Sequence, residues 1–223
     1  MSKSSIFDMI GPIMIGPSSS HTGGVVRIGS VARMILGIQP EKVVITFYNS
    51  FARTYEGHGS DRAILAGLLG MNTDDERIKQ AYQEAEAAGL QYVMKAVMNA
   101  STMHPNTIRL EMTCGEKKAE VVGVSRGGGL ISIVEIDGFA CNFTAQSKTL
   151  VITADDVKGS VAFITNVIAH DNCNIATMTV NRSGKNDIAK MVIEMDTSLN
   201  PITLQYLQNL SWVKAVDYLD SVD

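Results

Sequence analysis

From Leu150 to Leu219 the sequence sets out one complete supersecondary cadence. Leu150 to Thr153 reads as a strand, and Val157, Val161, Ile164 and Ile168 recur on one helical face. Asn174 to Val180 and Ile188 to Met195 alternate as strands around the turn chemistry of NRSGKN. Pro201, with Asn200 before it as N-cap, opens a second helix, and Trp212 to Leu219 closes as a strand. The order is βαββαβ, the ferredoxin-like arrangement in which two helices cover one face of a four-stranded antiparallel sheet. A domain of about 75 residues whose sheet is bare on its second face is marginal alone, so self-association or pairing with another domain is expected.

The preceding residues follow a different pattern. Val25, Ile28, Val31, Ala32, Ile35 and Leu36 fall at helical spacing within Gly23 to Leu36, directly after a hydroxyl-rich run suited to N-capping. Lys42 to Tyr48 is a β-branched and aromatic strand, Asn49 to Asp61 reads as a loop, and Ala63 to Leu69 as a short apolar helix. Asp74 to Ala88 is rich in helix formers, begins with acids and stops at Gly89, which predicts a solvated surface helix. From Asn106 the runs NTIRLEMT, AEVVGVS and LISIVEID predict an antiparallel meander, with turns at Cys114 to Lys117 and at the triplet Gly127 to Gly129. FACNFTAQSK, after Gly138, loses period and reads as a linker. The fold class is therefore α/β (α+β), with domains expected over 1–147 and 148–223.

Charge and cysteine usage narrow the function classes. Lys and Arg number 19 against 23 Asp and Glu, a net charge of −4, so there is no basic field for a nucleic acid backbone or an anionic membrane surface. The longest apolar stretches, such as Gly29 to Ile38, are broken by Arg33 and fall short of the roughly 20 residues that a bilayer span needs. MSKSSIFDMIGP does not read as a signal peptide, so a cytoplasmic protein is expected. Cys114, Cys141 and Cys173 form no C-x-x-C pair, and their spacing supplies no metal or cluster site.

Two segments carry most of the chemistry. GPSSSHTGG, Gly16 to Gly24, offers hydroxyls, a histidine and the unpaired N–H groups of a helix start, an arrangement that attracts phosphate or carboxylate. It reads equally as a serine-rich cap, and no Walker lysine follows it. SFARTYEGHGSDRA, Ser50 to Ala63, sets His58 between Gly57 and Gly59, able to project an imidazole whose ordinary pKa near 6.5 suits proton transfer. The structural alternative is that Ser60 or Asp61 caps the next helix and His58 simply lies on the surface. HPNT, His104 to Thr107, and SRGGG, Ser125 to Gly129, read first as turn and bulge chemistry, although a glycine-lined turn can also present N–H groups to an anion. His170, ending an amphipathic helix, suits the negative end of the helix dipole.

Taken together, FDMIGPIMIGPSSSHTGG, TYEGHGSDRA, HPNT and SRGGG resemble the β subunits of the two-chain, iron–sulfur-dependent L-serine dehydratases of bacteria, end to end. The resemblance implies an N-terminal domain like the allosteric-substrate-binding domain of some phosphoglycerate dehydrogenases. It also implies a C-terminal ACT domain, with Asp156-Val157-Lys158-Gly159 and Asn174-Ile175 at its characteristic loops. It further implies a separate α subunit whose cysteines hold a four-iron four-sulfur (4Fe-4S) cluster. One iron acts there as Lewis acid on the serine hydroxyl, a base removes the α proton, and the aminoacrylate formed yields pyruvate and ammonia. Carried onto this chain, Ser18, Ser19, Ser20, His21 and Thr22 would hold the substrate carboxylate, with Thr54, Ser60 and Asp61 beside them. His58, with Tyr55 nearby, would transfer the proton. Asp156, Gly159, Asn172, Asn174 and Ile175 would receive a small amino acid effector such as L-serine. Ser60 stands where the family motif has threonine, which keeps the hydroxyl. Two other readings remain open: a purely regulatory subunit that senses an amino acid, and a stand-alone anion- or nucleotide-binding module.

Overall fold

Two glycines let the helices of the N-terminal unit touch backbone to backbone. The protein is described by a computed structural model over residues 13–16, 18–100 and 102–222, so Phe7 to Pro12 and Pro17 of the motif segments lie outside the described residues. The chain divides into two units, one ending at Asp137 and the other spanning Gly138–Val222.

In the first unit, α1 (Gly24–Leu36) follows a single wide turn, Ser19–Gly23, and is succeeded by β1 (Lys42–Tyr48), α2 (Asn49–Thr54) and α3 (Ser60–Leu68). After a tight turn over Glu76–Gln80 come α4 (Ala81–Ala87) and β2 (Gln91–Val97), then the hairpin-linked β3 (Thr107–Cys114), β4 (Lys117–Gly127) and β5 (Leu130–Ile136). The strand order is β2-β1-β3-β4-β5, parallel between β1 and β2 and antiparallel elsewhere. Alternation fixes the register: Val43, Ile45 and Phe47 are buried opposite Met112, Leu110 and Ile108. The predicted meander is present. The stretch expected as a loop from Asn49 contains α2, and Gln91–Val97, unassigned in the sequence, is the edge strand. Asp74 to Ala88 is a short 3₁₀ turn and a seven-residue helix with Ile78, Ala81 and Ala85 buried, so it docks one face rather than standing in solvent.

Helix α1 packs against α3 and β4. At the α1–α3 crossing, a Cβ on Gly67 would lie 2.1 Å from the Val26 carbonyl oxygen, and one on Gly29 would lie 2.8 Å from the Ile64 oxygen. Only glycine permits that approach. Because the SSSHT turn leads directly into α1 and the GHGSD loop leads directly into α3, this crossing brings the two motifs together.

The second unit begins with β6 (Phe139–Phe143) and continues through β7 (Lys148–Asp155), α5 (Ser160–His170), β8 (Ile175–Arg182), β9 (Ile188–Met195), α6 (Pro201–Gln208) and β10 (Val213–Leu219). The order β10-β7-β9-β8, all antiparallel, is the ferredoxin-like topology that the cadence predicts. The Asn200 side chain accepts from the Ile202 N–H, the expected cap ahead of Pro201. Leu150, Ile152, Ile164, Ile168, Met191, Ile193 and Leu207 form the core beneath the helices.

The bare second sheet face is not found: Thr149, Val151, Lys190, Val192 and Glu194 are buried. The presumed linker straps that face. The Thr144 N–H and hydroxyl both donate to Glu194 Oε1 at 2.9 Å, and Thr177 donates to Oε2 at 2.8 Å. Asn181 donates to the Ala140 carbonyl at 2.7 Å, and the Lys190 ammonium lies 5.5 Å from the Phe139 ring centre. Exposed apolar side chains include Phe163, Ile202 and Tyr206 on the helices and Val180 on β8. No helix among the described residues is long and apolar enough to cross a membrane.

Candidate functional site

The SSSHT turn is built from its own hydroxyls. Ser18, in extended conformation, accepts the His21 N–H on its side chain at 3.2 Å and the Thr22 N–H on its carbonyl at 2.8 Å. The His21 ring sets Nδ1 beside the Ser20 and Ser18 hydroxyls, at 3.1 and 3.3 Å. Its Nε2 is buried with no hydrogen-bond partner, and the Phe51 ring meets the imidazole edge-on at 4.9 Å. Burial, and secondarily the neighbouring His58, pushes the His21 pKa below 6.5, so the ring is neutral at pH 7.

His58 is exposed and held from behind. The Thr54 carbonyl at the end of α2 accepts the His58 N–H at 3.0 Å and lies 3.3 Å from Nδ1. A carbonyl oxygen can only accept, so Nδ1 is the donor, which in the neutral ring is the tautomer with its lone pair on Nε2. Gly59, at φ +72°, then reverses the chain into α3. The rings of His21 and His58 stand 4.8 Å apart, tilted by 33°.

Two reciprocal bonds lock the loops that carry them. The Ser60 hydroxyl donates to the His21 carbonyl at 2.8 Å, and the Thr22 hydroxyl donates to the His58 carbonyl at 3.4 Å. Both hydroxyls are buried. The other two motifs close around the same place. Ser125 of SRGGG, fully buried, donates to the Ser20 carbonyl at 2.9 Å, and its N–H donates to the Asn106 carbonyl at 3.0 Å. The Pro105 carbonyl of HPNT accepts the Ser50 N–H at 2.9 Å. His104 Nδ1 accepts the Asn106 N–H at 3.1 Å, and burial, with Arg126 close by, pushes its pKa below 6.5. Motifs whose first reading was turn chemistry thus brace the SSSHT turn and the start of α2.

The remaining candidates are placed as follows. Ser19 lies half-buried in the SSSHT turn, and its carbonyl accepts the Gly24 N–H. The Thr54 hydroxyl donates within its own helix, to the Ser50 carbonyl at 2.8 Å. Tyr55 stacks on Phe47 at 4.7 Å and donates to Glu56 at 3.1 Å; burial and that bond push its pKa above 10. Asp61, buried in the first turn of α3, accepts the Tyr82 hydroxyl at 2.5 Å and the Arg62 N–H at 2.8 Å.

In the second unit Asp156 is held by the Asn186 N–H and Arg182, each at 3.0 Å, which lower its pKa, while Gly159, at φ +83°, leads into α5. Asn172 has φ +55°, Asn174 donates to Asp196 at 2.7 Å, and Ile175 packs on the core. These two groups lie at opposite ends of α5, and the sheet register agrees: Asp155 pairs with Ile188 while Ile175 pairs with Met195. One chain does not bring them together. No group of three His, Cys, Asp or Glu among the described residues converges as metal ligands. His170 Nδ1 lies 2.8 Å from the Asn166 carbonyl, within its own last helical turn.

Sequence reasoning missed three contributors. Asn49, left-handed at φ +52°, ties down the segment ahead of HPNT by donating to the Ala100 and Met103 carbonyls and accepting the Ala100 N–H. Arg27 donates to the Gly129 carbonyl at 2.9 Å, which anchors the glycine triplet. Tyr82 reaches Asp61 from α4. Only the left-handed tolerance of Asn, between a strand and a helix, was a signal available in advance.

The family described as "Serine dehydratase beta chain" matches residues 5–135. The "Probable L-serine dehydratase, beta chain" of Bacillus subtilis is 42% identical over 210 residues, covering 94% of this chain and 95% of that protein. The "L-serine dehydratase, beta chain" of Peptoniphilus asaccharolyticus is 34% identical, covering 89% and 90%. Among solved structures, the ACT domain of the GTP pyrophosphokinase of Chlorobium tepidum aligns with 32% of this chain and 95% of its own, at 22% identity and TM-score 0.28.

Proposed function

The chain belongs to the serine dehydratase β-chain family, and on that premise we propose that it is the β chain of a cytoplasmic L-serine dehydratase, converting L-serine to pyruvate and ammonia together with an α chain. The observation that carries this reading is the pair of imidazoles 4.8 Å apart on two cross-braced loops, one ring exposed and the other half-buried with its pKa lowered.

The residues divide the work by exposure. His58, exposed and with Nδ1–H held by the Thr54 carbonyl, removes the α proton of serine through Nε2. The hydroxyls of Ser18, Ser19 and Ser20, with the neutral His21 ring they orient, bind the substrate carboxylate. Thr22 and Ser60 serve that site by bracing the loops, since their hydroxyls are committed to the opposing carbonyls. Tyr55, whose phenol stays protonated, can only donate a proton. The aminoacrylate left after loss of the α proton and the hydroxyl tautomerises to an imine, and water releases pyruvate and ammonia.

The residues of this chain do not fit a cluster, because its three cysteines are dispersed and no trio of ligating side chains converges among the described residues. In this reading the 4Fe-4S cluster, and the Lewis acid chemistry it would supply to the leaving hydroxyl, belong to the α chain. The second unit acts as an ACT domain; a site combining Asp156 and Gly159 with Asn172, Asn174 and Ile175 would require two copies, in keeping with self-association.

In the assembled enzyme His58→Ala lowers kcat by about 10² to 10⁴, the range for loss of a general base, while His21→Ala acts mainly by raising KM. Near-normal kcat in His58→Ala with a collapse in His21→Ala would reverse the two roles.

A further inference from the structure

Outside the four motifs, one side chain is joined to the site by a short bond to a buried carboxylate. The Tyr82 hydroxyl of α4 donates to Asp61 Oδ2 at 2.5 Å, and the second carboxylate oxygen accepts the Arg62 N–H. Asp61 is three residues from His58 and directly follows Ser60, whose hydroxyl holds the His21 carbonyl. The first turn of α3 thus governs both loops at once: rotating it would draw Ser60 off His21 and carry His58 with it. The Tyr82 ring is itself clamped, stacked 6.3 Å from Tyr92 on β2 and lying 5.8 Å from the Arg62 guanidinium.

We propose that Tyr82 is a positioning residue for proton transfer, acting through Asp61 to hold the first turn of α3 and so the geometry of the His21 and His58 loops. This inference rests on the assignment of His58 as the base. A buried carboxylate with one side-chain donor is costly to leave unpaired, so the bond holds the turn in one place rather than in several. Burial together with Asp61 drives the phenol pKa far above 10, which keeps the donor proton on Tyr82 across the working range.

Tyr82→Phe removes the oxygen and keeps the ring with its stacking partners. In the assembled enzyme, assayed well below the melting transition, it lowers kcat about tenfold to a hundredfold and also raises KM for L-serine, because both loops loosen together. Asp61→Ala removes the acceptor and lowers kcat at least as much, and the double variant is no worse than Asp61→Ala alone, because Tyr82 acts only through Asp61. Unchanged kcat in Tyr82→Phe, with only a lower melting temperature, would mark the bond as merely structural and overturn the proposal; fully additive losses in the double variant would also overturn it. His58→Ala run alongside separates the two ideas. Normal kcat there overturns the assignment of the base, whereas a loss there beside a normal Tyr82→Phe overturns the positioning role alone. An ultraviolet titration of the isolated chain gives a readout without turnover. One of the six phenols should resist ionisation until the fold is lost and should vanish in Tyr82→Phe; no such phenol in the wild type would overturn the proposal.

Discussion

Gly67→Ala puts the origin of the site to the test. The added methyl carbon would sit 2.1 Å from the Val26 carbonyl oxygen and 3.0 Å from both the Gly29 Cα and the Ser30 nitrogen. All three obstacles are backbone, so no side chain can swing aside, and α1 and α3 must part by about 1 Å to restore ordinary contact. Overpacking of this kind costs about 1–3 kcal/mol, and the rigid surroundings place Gly67→Ala at the upper end. The same parting stretches the Ser60-to-His21 bond from its present 2.8 Å beyond hydrogen-bonding range, and the weaker Thr22-to-His58 bond fails with it. A misplacement near 1 Å at a proton-transfer site lowers kcat by roughly 10². Urea unfolding of the isolated chain, followed by far-ultraviolet circular dichroism, reads the first effect. Fluorescence of Trp212, which lies in the second unit, reports whether that unit is spared. Pyruvate formation by the assembled enzyme reads the second effect. Gly184→Ala is the control, since its Cβ would meet only Asp187 at an ordinary 3.8 Å. A Gly67→Ala chain that unfolds like the wild type and turns over within twofold of it would refute the close crossing as the determinant of the site.

Other outcomes follow from the same geometry. Glu194→Gln replaces an oxygen that accepts from Thr144 or Thr177 with an amide that cannot, and should lower the stability of the second unit by about 1.5–3 kcal/mol; an unchanged urea midpoint of Trp212 fluorescence would contradict the strap. The lowered pKa of His21 means that the unfolded chain binds its proton first as pH falls. The stability this group contributes is therefore complete above pH 6.5 and declines from there down to the depressed folded value. His21→Gln should flatten that part of the stability profile, with His104 accounting for a further share of the slope; identical profiles for His21→Gln and wild type would contradict the burial of the ring.

What could be read in advance was what repeats along the chain. The βαββαβ cadence, the α1 periodicity and the β3-β4-β5 meander all place apolar residues at fixed intervals, and each is present. Strand β2 escaped notice because Val93 and Val97 lie on its exposed face, so the hydropathy of QYVMKAV does not alternate even where its burial does. Strand β6 was obscured because FACNF is short and follows a glycine turn, and its role depends on partners some forty to fifty residues away, Asn181 for Ala140 and Lys190 for Phe139. Helix α2 was hidden by the glycines that follow it. The candidate residues His21, His58, Thr22 and Ser60 could be named from their motifs, yet the division into an exposed imidazole, a half-buried one and two bracing hydroxyls could not. That division depends on Gly29 and Gly67, which read as isolated glycines until the helices cross, and on Tyr82, which is 21 residues from its partner.

The central claim is that this chain supplies the proton-transfer half of a two-chain active site. The α chain, purified without air and carrying its cluster, should form no pyruvate from L-serine by itself. Adding this chain should restore turnover in a saturable way, and adding the His58→Ala chain should restore assembly without restoring turnover. Turnover by the α chain alone at the rate of the pair would contradict the claim and leave this chain a regulator.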